Sequence, residues 1–298
     1  MPSSRANRRG VIALVIGMAG YTVNDAFVKL VAQSYPVGEV IFIRGVLTTL
    51  VLGAIIAGAG LLPDMRRTTD RHVVWRAVAD GAASVLYVVA LAHMQMADLA
   101  AVLLLAPLLL TAMAVLFYGE IVGWRRWTAI AVGFGGTLFV VKPTPAMFDA
   151  WALIALAASF ASASRDLLTR QTDQTIPTLI LTLAGSIAVA IGGLALVVNE
   201  EWRMLAPRDL ALLALAAAFL AFGSYLVALA YRGVDISVVA PFRYTLLLWA
   251  AIAGFLVFGE LPDRWAAFGA MLIVASGLYA LHRDAVRRRQ NRVGESFN

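Results

Sequence analysis

A small set of charged and strongly polar side chains interrupts otherwise apolar sequence: Asn24, Asp25, Lys29, Glu39, Arg44, Asp80, His93, Arg165, Asp166 and Arg243. Their types suit recognition of a charged solute. A cation such as Arg44, Arg165 or Arg243 can hold a carboxylate, and Asp25 or Asp166 can accept from an ammonium group, which together is what a zwitterion needs. Tyr87, Tyr225, Tyr244 and Trp249 offer apolar faces with polar tips. His93 is of the one type that titrates near neutral pH, and its place near the end of an apolar run also suits an interfacial residue. Bond-making chemistry is missing from the pattern. There is no cysteine, no Gly-x4-Gly-Lys-Ser/Thr, no His-Glu-x-x-His and no Gly-x-Ser-x-Gly. No enzyme, no metal, no cofactor and no attached ATPase subunit is therefore expected.

These groups lie in a chain that is 61% hydrophobic and 14% charged, too apolar for a soluble domain. Apolar runs between punctuating charges and prolines predict spans at 10–32, 37–60, 71–94, 98–118, 124–142, 149–171, 176–198, 208–231, 236–259 and 264–282. Spanning helices of roughly 20 residues leave only short loops. The expectation is an all-α polytopic membrane protein with ten transmembrane helices. A charge at mid-bilayer costs a few kcal/mol (about 2.5–3.5) even on a lenient scale, so the interior charges must face the bundle or a wet cavity.

The net charge of +6 is spread as a topology signal and gives no reason to expect a nucleic acid. With the N-terminus inside, cytoplasmic segments hold Arg5, Arg8, Arg9, Arg66, Arg67, Arg71, Arg125, Arg126, Arg170, Arg232, Arg283, Arg287, Arg288, Arg289 and Arg292. The opposite loops hold only Lys142, Arg203, Arg208 and Arg264. The positive-inside rule then predicts a bacterial-type inner membrane protein with both termini cytoplasmic. Trp75, Trp124 and Trp127 fall at the inner interface and Trp151, Trp202 and Trp265 at the outer one. Arg5, Arg8 and Arg9 before Val11–Val23 resemble a signal peptide, but the segment belongs to an internal repeat and is not read as cleaved.

That repeat emerges on sliding the chain along itself. A shift of 141 sets Asp25, Lys29, Gln33, Ser34 and Pro36 on Asp166, Arg170, Gln174, Thr175 and Pro177. A shift of 138 sets Tyr87–Ala92 on Tyr225–Ala230, and one of 140 sets Gly119-Glu120 on Gly259-Glu260, each followed by Arg-Trp. Five spans per half force the halves into opposite orientations, an architecture of secondary transporters. The organisation expected is a tail over 1–9, repeats over 10–142 and 149–282, and a basic tail over 283–298, with the two inverted five-helix repeats enclosing a central cavity lined by spans one, three, four, six, eight and nine. Asp25 with Lys29, and Asp166 with Arg170, are spaced for local ion pairs. Glu120 is expected to pair with Arg125 or Arg126, and Glu260 with Arg264, because a carboxylate at a helix C-terminus needs compensation. Arg44 aligns with Gly185, Arg243 with Leu105, Asp80 with Ala218 and Asn24 with Arg165. Charges without a twin are not required by the repeat and point more strongly to function.

Ala106-Pro107, the Gly-Glu endings with their Arg-Trp sequels, and the run Ala240–Tyr244 resemble the EamA-type repeats of the drug/metabolite transporter superfamily. The chain is most similar there to YddG-like amino-acid exporters. The resemblance implies ten helices around a basket-shaped cavity and export of amino acids or related small metabolites, without a partner subunit, the chain being expected as a monomer in the lipid bilayer. The second half departs from the pattern at Leu247, where the first has Pro107; its proline comes earlier, at Pro241. Two alternatives stay open: a carrier of phosphorylated metabolites, nucleotide sugars or cationic drugs, and a channel-like pore.

Overall fold

In hydrocarbon a backbone polar group can be satisfied only inside its own helix or a closed barrel. The computed structural model describes residues 4–119, 124–141, 150–173, 175–230 and 236–295, and among these the chain is helical almost throughout, without strands. Glu120, Lys142, Gln174 and Arg232, and the side chains of Arg125, Arg126, Arg170 and Arg283 onward, lie outside the described residues.

The helices are α1 (Ser4–Ala32), α2 (Val37–Gly58), α3 (Arg71–His93), α4 (Met96–Leu103), α5 (Ala106–Tyr118), α6 (Trp124–Val141), α7 (Ala150–Gln171), α8 (Thr178–Val197), α9 (Pro207–Ala230), α10 (Ile236–Val239), α11 (Thr245–Phe258) and α12 (Arg264–Glu295). Among the described residues eight segments are long and apolar enough to cross a membrane, and Trp127–Val140 and Arg264–Ala280 are shorter apolar helices. Both tails depart from expectation: α1 begins at Ser4, and α12 runs on to Glu295. Arginine, glutamine and alanine are good helix formers, so nothing stops either helix at the membrane edge.

The fourth span is broken at Leu104 and Leu105, and the ninth passes through a 3₁₀ stretch over Ala240–Tyr244. Pro107 and Pro241 explain both breaks. Each lacks an N–H and so fits only the first turn of the next helical segment. The two bends differ in form, as the displaced proline predicts.

The closest helix pairs all join one half of the sequence to the other: α1 with α9, α2 with α8, α3 with α7, and α6 with α12. Exchanging the halves maps this set of pairs onto itself. The repeats are therefore units of sequence that interlock, and neither buries its own faces. Small residues allow the approach, as in membrane bundles generally. A Cβ on Gly136 would lie 2.8 Å from the carbonyl oxygen of Gly269, and one on Gly269 would collide with that of Gly136. Backbone cannot yield as a side-chain tip can. Gly269→Val is expected to cost about 1–3 kcal/mol, the range for overpacking, read as a lower Tm of the detergent-solubilised protein. A Tm equal to that of the parent chain would contradict so tight a crossing.

The connections alternate between a proximal face, which holds the N-terminus, and a distal face. At the distal face the Tyr35 hydroxyl donates to Asp209 (3.0 Å), Gly38 N to Glu200 Oε2 (2.9 Å) and Arg203 N to Glu39 Oε2 (2.9 Å). At the proximal face Arg67 donates to Thr175 Oγ1 at 2.9 Å.

Candidate functional site

The distal end of α1 carries the first departure from local pairing. Lys29 ion-pairs with Glu260 of the second half, and its ammonium also donates to Met94 O at 2.6 Å. Asp25 takes no part. The reason lies in the Gly-Glu ending. Gly259 caps α11 in the left-handed region (φ 68°), where a residue without Cβ is at ease, and Glu260 N closes back on Gly254 O at 3.0 Å. The turn swings the Glu260 carboxylate across to α4, where Oε2 accepts Met96 N at 2.9 Å. Glu260 thus sits on the N-terminus of another helix, whose first N–H groups lack partners and favour negative charge. That corrects both expected pairs, Asp25 with Lys29 and Glu260 with Arg264. Arg264 instead lies over the Trp265 ring, 5.7 Å from its centroid.

Deeper in the bundle Asp25 is held by neutral donors and makes no ion pair among the described residues. Its Oδ1 accepts Asn24 Nδ2 at 2.9 Å and its Oδ2 accepts the Tyr87 hydroxyl at 2.6 Å. Arg44 lies within electrostatic reach of Asp25, Tyr87 and Asp80. Its side chain makes no ion pair among the described residues, and Nε has no hydrogen-bond partner although Arg44 is only 6% exposed. Asn24 Oδ1 is equally buried and unpartnered. An orphaned donor and an orphaned acceptor inside a membrane are costly unless something else uses them.

A second cluster occupies the proximal half and is closed on itself. Arg165 donates to Asp80 Oδ1 at 3.1 Å and to Asp166 Oδ1 at 2.9 Å. Arg76 reaches Asp80 at 3.5 Å, Leu181 O at 2.8 Å and Thr169 Oγ1 at 3.1 Å. Two arginines and two aspartates leave it neutral. Gly185 makes the space, since a Cβ there would overlap the Asp80 carboxylate. Asp166, expected beside Arg170, is engaged by its own neighbour Arg165. Between the clusters the Tyr21 hydroxyl donates to Ser224 Oγ at 3.2 Å, within reach of the charges of Arg243, Arg165 and Asp80.

The remaining candidates scatter. Arg243 sits in the 3₁₀ stretch, half-buried and without an ion pair among the described residues. Trp249 Nε1 donates to Val15 O at 3.1 Å, which ties α11 to α1. Tyr244 is buried with its hydroxyl unpartnered, its ring filling the space above Gly277. Tyr225 is 66% exposed. It lies two residues, about 200°, round α9 from Gly223, which faces Tyr21 of α1. The aromatic residues therefore do not form one wall: Tyr87 serves Asp25, Tyr244 and Trp249 pack near α12 and α1, and Tyr225 points away. His93 stacks on Trp151 (centroids 3.6 Å apart, 7° between planes), its Nδ1 2.9 Å from Val89 O.

Sequence reasoning passed over Arg76, Tyr21 and Ser224. Arg76 had a signal, the i, i+4 spacing to Asp80. Tyr21 and Ser224 had none, being ordinary residues of apolar spans. Two cavities accompany these groups, about 590 Å³ between α3, α5, α6 and α7 and about 480 Å³ between α4, α11 and α12. Neither of these two is lined by a member of the clusters. Among the described residues no three histidine, aspartate or glutamate side chains converge as metal ligands would.

One crystal structure superposes with a TM-score of 0.61 at 16% identity, over 93% of this chain and 98% of the other, a likeness of fold. An S-adenosylmethionine uptake transporter of Rickettsia prowazekii is 28% identical over 178 residues, 60% of each chain. A riboflavin transporter of Rhizobium johnstonii is 30% identical over 195 residues, 64% of this chain and 63% of that one. The chain thus spans under two thirds of the length of these relatives. A pseudopaline exporter of Pseudomonas aeruginosa is 26% identical over 278 residues, 90% of this chain and 94% of the other. The model of the EamA-like transporter family matches twice in succession, over residues 8–142 and 149–281. With both halves matched and an ion-paired interior of membrane-crossing helices between them, the chain belongs to the EamA-like transporter family.

Proposed function

We propose that the chain is a secondary transporter that moves an amino acid or related zwitterionic metabolite out across the inner membrane, by alternating access between two inverted five-helix repeats. The observation that carries the reading is the group Asn24, Asp25 and Arg44: a carboxylate held by neutral donors, an acceptor without a partner and a buried guanidinium whose Nε has no hydrogen-bond partner. A substrate ammonium group would bond to Asp25 and Asn24 Oδ1, and a substrate carboxylate would take the free arms of Arg44. Arg243 supplies a second unpaired cation at the bend of the ninth span. Arg165 and Asp166 are spoken for by each other and by Asp80, so they shape the site and do not bind substrate.

Support for the architecture comes from the set of helix pairs that survives exchange of the halves, and from eight long plus two shorter apolar helices. In this reading the proximal face is cytoplasmic and the distal ties close the outer side. The relatives are named for uptake as well as export, and for riboflavin as well as S-adenosylmethionine and pseudopaline, so they support small-metabolite transport and the zwitterion reading rests on the site. A second reading, export of organic cations, gains from one observation: Lys29 is taken by Glu260 and does not neutralise Asp25.

Counterflow in proteoliposomes separates the two, using labelled amino acids, sugar phosphates and cationic dyes. Saturable amino-acid exchange that falls about tenfold or more in Asp25→Asn, as expected for loss of a charge-assisted bond of roughly 1.5–3 kcal/mol, supports the proposal. Dye flux with the same dependence on Asp25, and no amino-acid flux, would replace it with the second reading. Ohmic current without saturation would make the protein a pore.

A further inference from the structure

We infer that the groove between α3, α5, α6 and α7 is a lipid site that takes one acyl chain of a membrane phospholipid. Its wall is wholly apolar, with Leu86, Leu109, Phe134, Leu153, Phe160 and Ala161 among the lining residues, and its volume is about 590 Å³. Phe134 and Phe160 are exposed in the middle of α6 and α7, so the groove opens sideways toward hydrocarbon.

The two halves differ at this place. The register that sets Gly119-Glu120 on Gly259-Glu260 sets Leu109 on Trp249, and the register of Asp25 on Asp166 sets Val15 on Leu156. In the second half Trp249 of α11 reaches across to α1, where its indole bonds to Val15 O at 3.1 Å. In the first half a leucine stands at that position and the corresponding volume is open. An open apolar groove left poorly packed forfeits dispersion contacts, and a flexible hydrocarbon chain laid in it restores them without any polar group to satisfy. The upper rim suits a lipid as well. His93 lies seven residues beyond Leu86 on the same face of α3, about two turns or 10.5 Å along. There it stacks on Trp151, at the level where aromatic rings meet head groups. The helices wedged by the chain are those that carry Asp80, Tyr87, Arg165 and Asp166, so an occupied groove braces the polar clusters from outside.

The test uses the full chain in phosphatidylethanolamine and phosphatidylglycerol vesicles containing a trace of phospholipid with a photoreactive group in one acyl chain. Labelled peptides are mapped by mass spectrometry. Wild-type protein is expected to label at Leu86 and Leu153–Ala161 more densely than at Phe255 and Leu256, which are exposed to lipid without a groove. Leu109→Trp should lose the groove label and keep that on Phe255 and Leu256, which reports that the variant is folded. Trp249→Leu should gain label around Val15, a new signal that misfolding does not produce at one place. Groove labelling no denser than at Phe255 and Leu256 in the wild type, or unchanged in Leu109→Trp, would overturn the proposal. Groove label displaced by a transported solute and not by excess unlabelled phospholipid would assign the groove to substrate and equally overturn it.

Discussion

Truncation of Lys29 to alanine is expected to destabilise the protein by about 3–5 kcal/mol, the cost of leaving one member of a buried ion pair without the other. The loss follows from geometry. Glu260 would keep the Met96 N–H and lose the one cation that pairs with it among the described residues, at a site where Lys29 is 5% exposed and Glu260 19%. Thermal unfolding in detergent, read by intrinsic tryptophan fluorescence, measures the effect. The counter-variant makes it specific. Replacing both partners by apolar residues, Lys29→Met with Glu260→Leu, removes the charges together, and most of the lost Tm should return. A double variant no better than Lys29→Ala would mean that the Glu260 bond to Met96 N matters more than the ion pair. A Lys29→Ala protein as stable as the parent would deny the pair any part in holding α1 to α4 and α11.

Arg44→Gln should act in the opposite sense on stability and more severely on transport. Loss of one partner of a desolvated charge pair costs about 2–5 kcal/mol of binding, roughly thirtyfold or more, so counterflow at substrate concentrations near the parent half-saturation should all but vanish. Stability should hold or rise, because Arg44 makes no ion pair and its Nε no hydrogen bond among the described residues. An arginine that merely supported the fold would show the reverse, a lower Tm with flux retained. Measuring both quantities on one preparation decides between these roles. Arg165→Gln provides the contrast: it strips Asp80 and Asp166 of their shared guanidinium and should lower Tm.

The features legible in the sequence were those that depend on composition and spacing. Apolar runs gave the eight long spans and the two shorter apolar helices, and Gly119 and Gly259 marked helix ends because a left-handed cap wants glycine. Which charges interrupt apolar spans was readable in the same way. What the sequence withheld was the choice of partner. The four-residue spacing makes Lys29 look like Asp25's partner, yet Glu260, 231 residues away, reaches it by a turn that only tertiary structure reveals. Arg165 shows the converse, binding the adjacent Asp166 and the distant Asp80 at once. Tyr225 failed to join Tyr87 for a related reason. Self-similarity predicts equivalent places in the chain, but whether such a tyrosine turns inward depends on which face of α9 the small residues give to α1. Gly223 claims that face.

The tie between Lys29 and Glu260 bears on how the chain is made. A ribosome releases Lys29 into the membrane long before Glu260 exists, and helices α2 to α11 are synthesised in the interval. Until then the first helix holds an ammonium group that no neighbour balances, and which must stay in contact with water or head groups at the bilayer edge. The closing carboxylate arrives only with the ninth span, so the first helix gains this tie only when that span is in place. A nascent chain cut short before that point carries the lysine without the carboxylate that pairs with it.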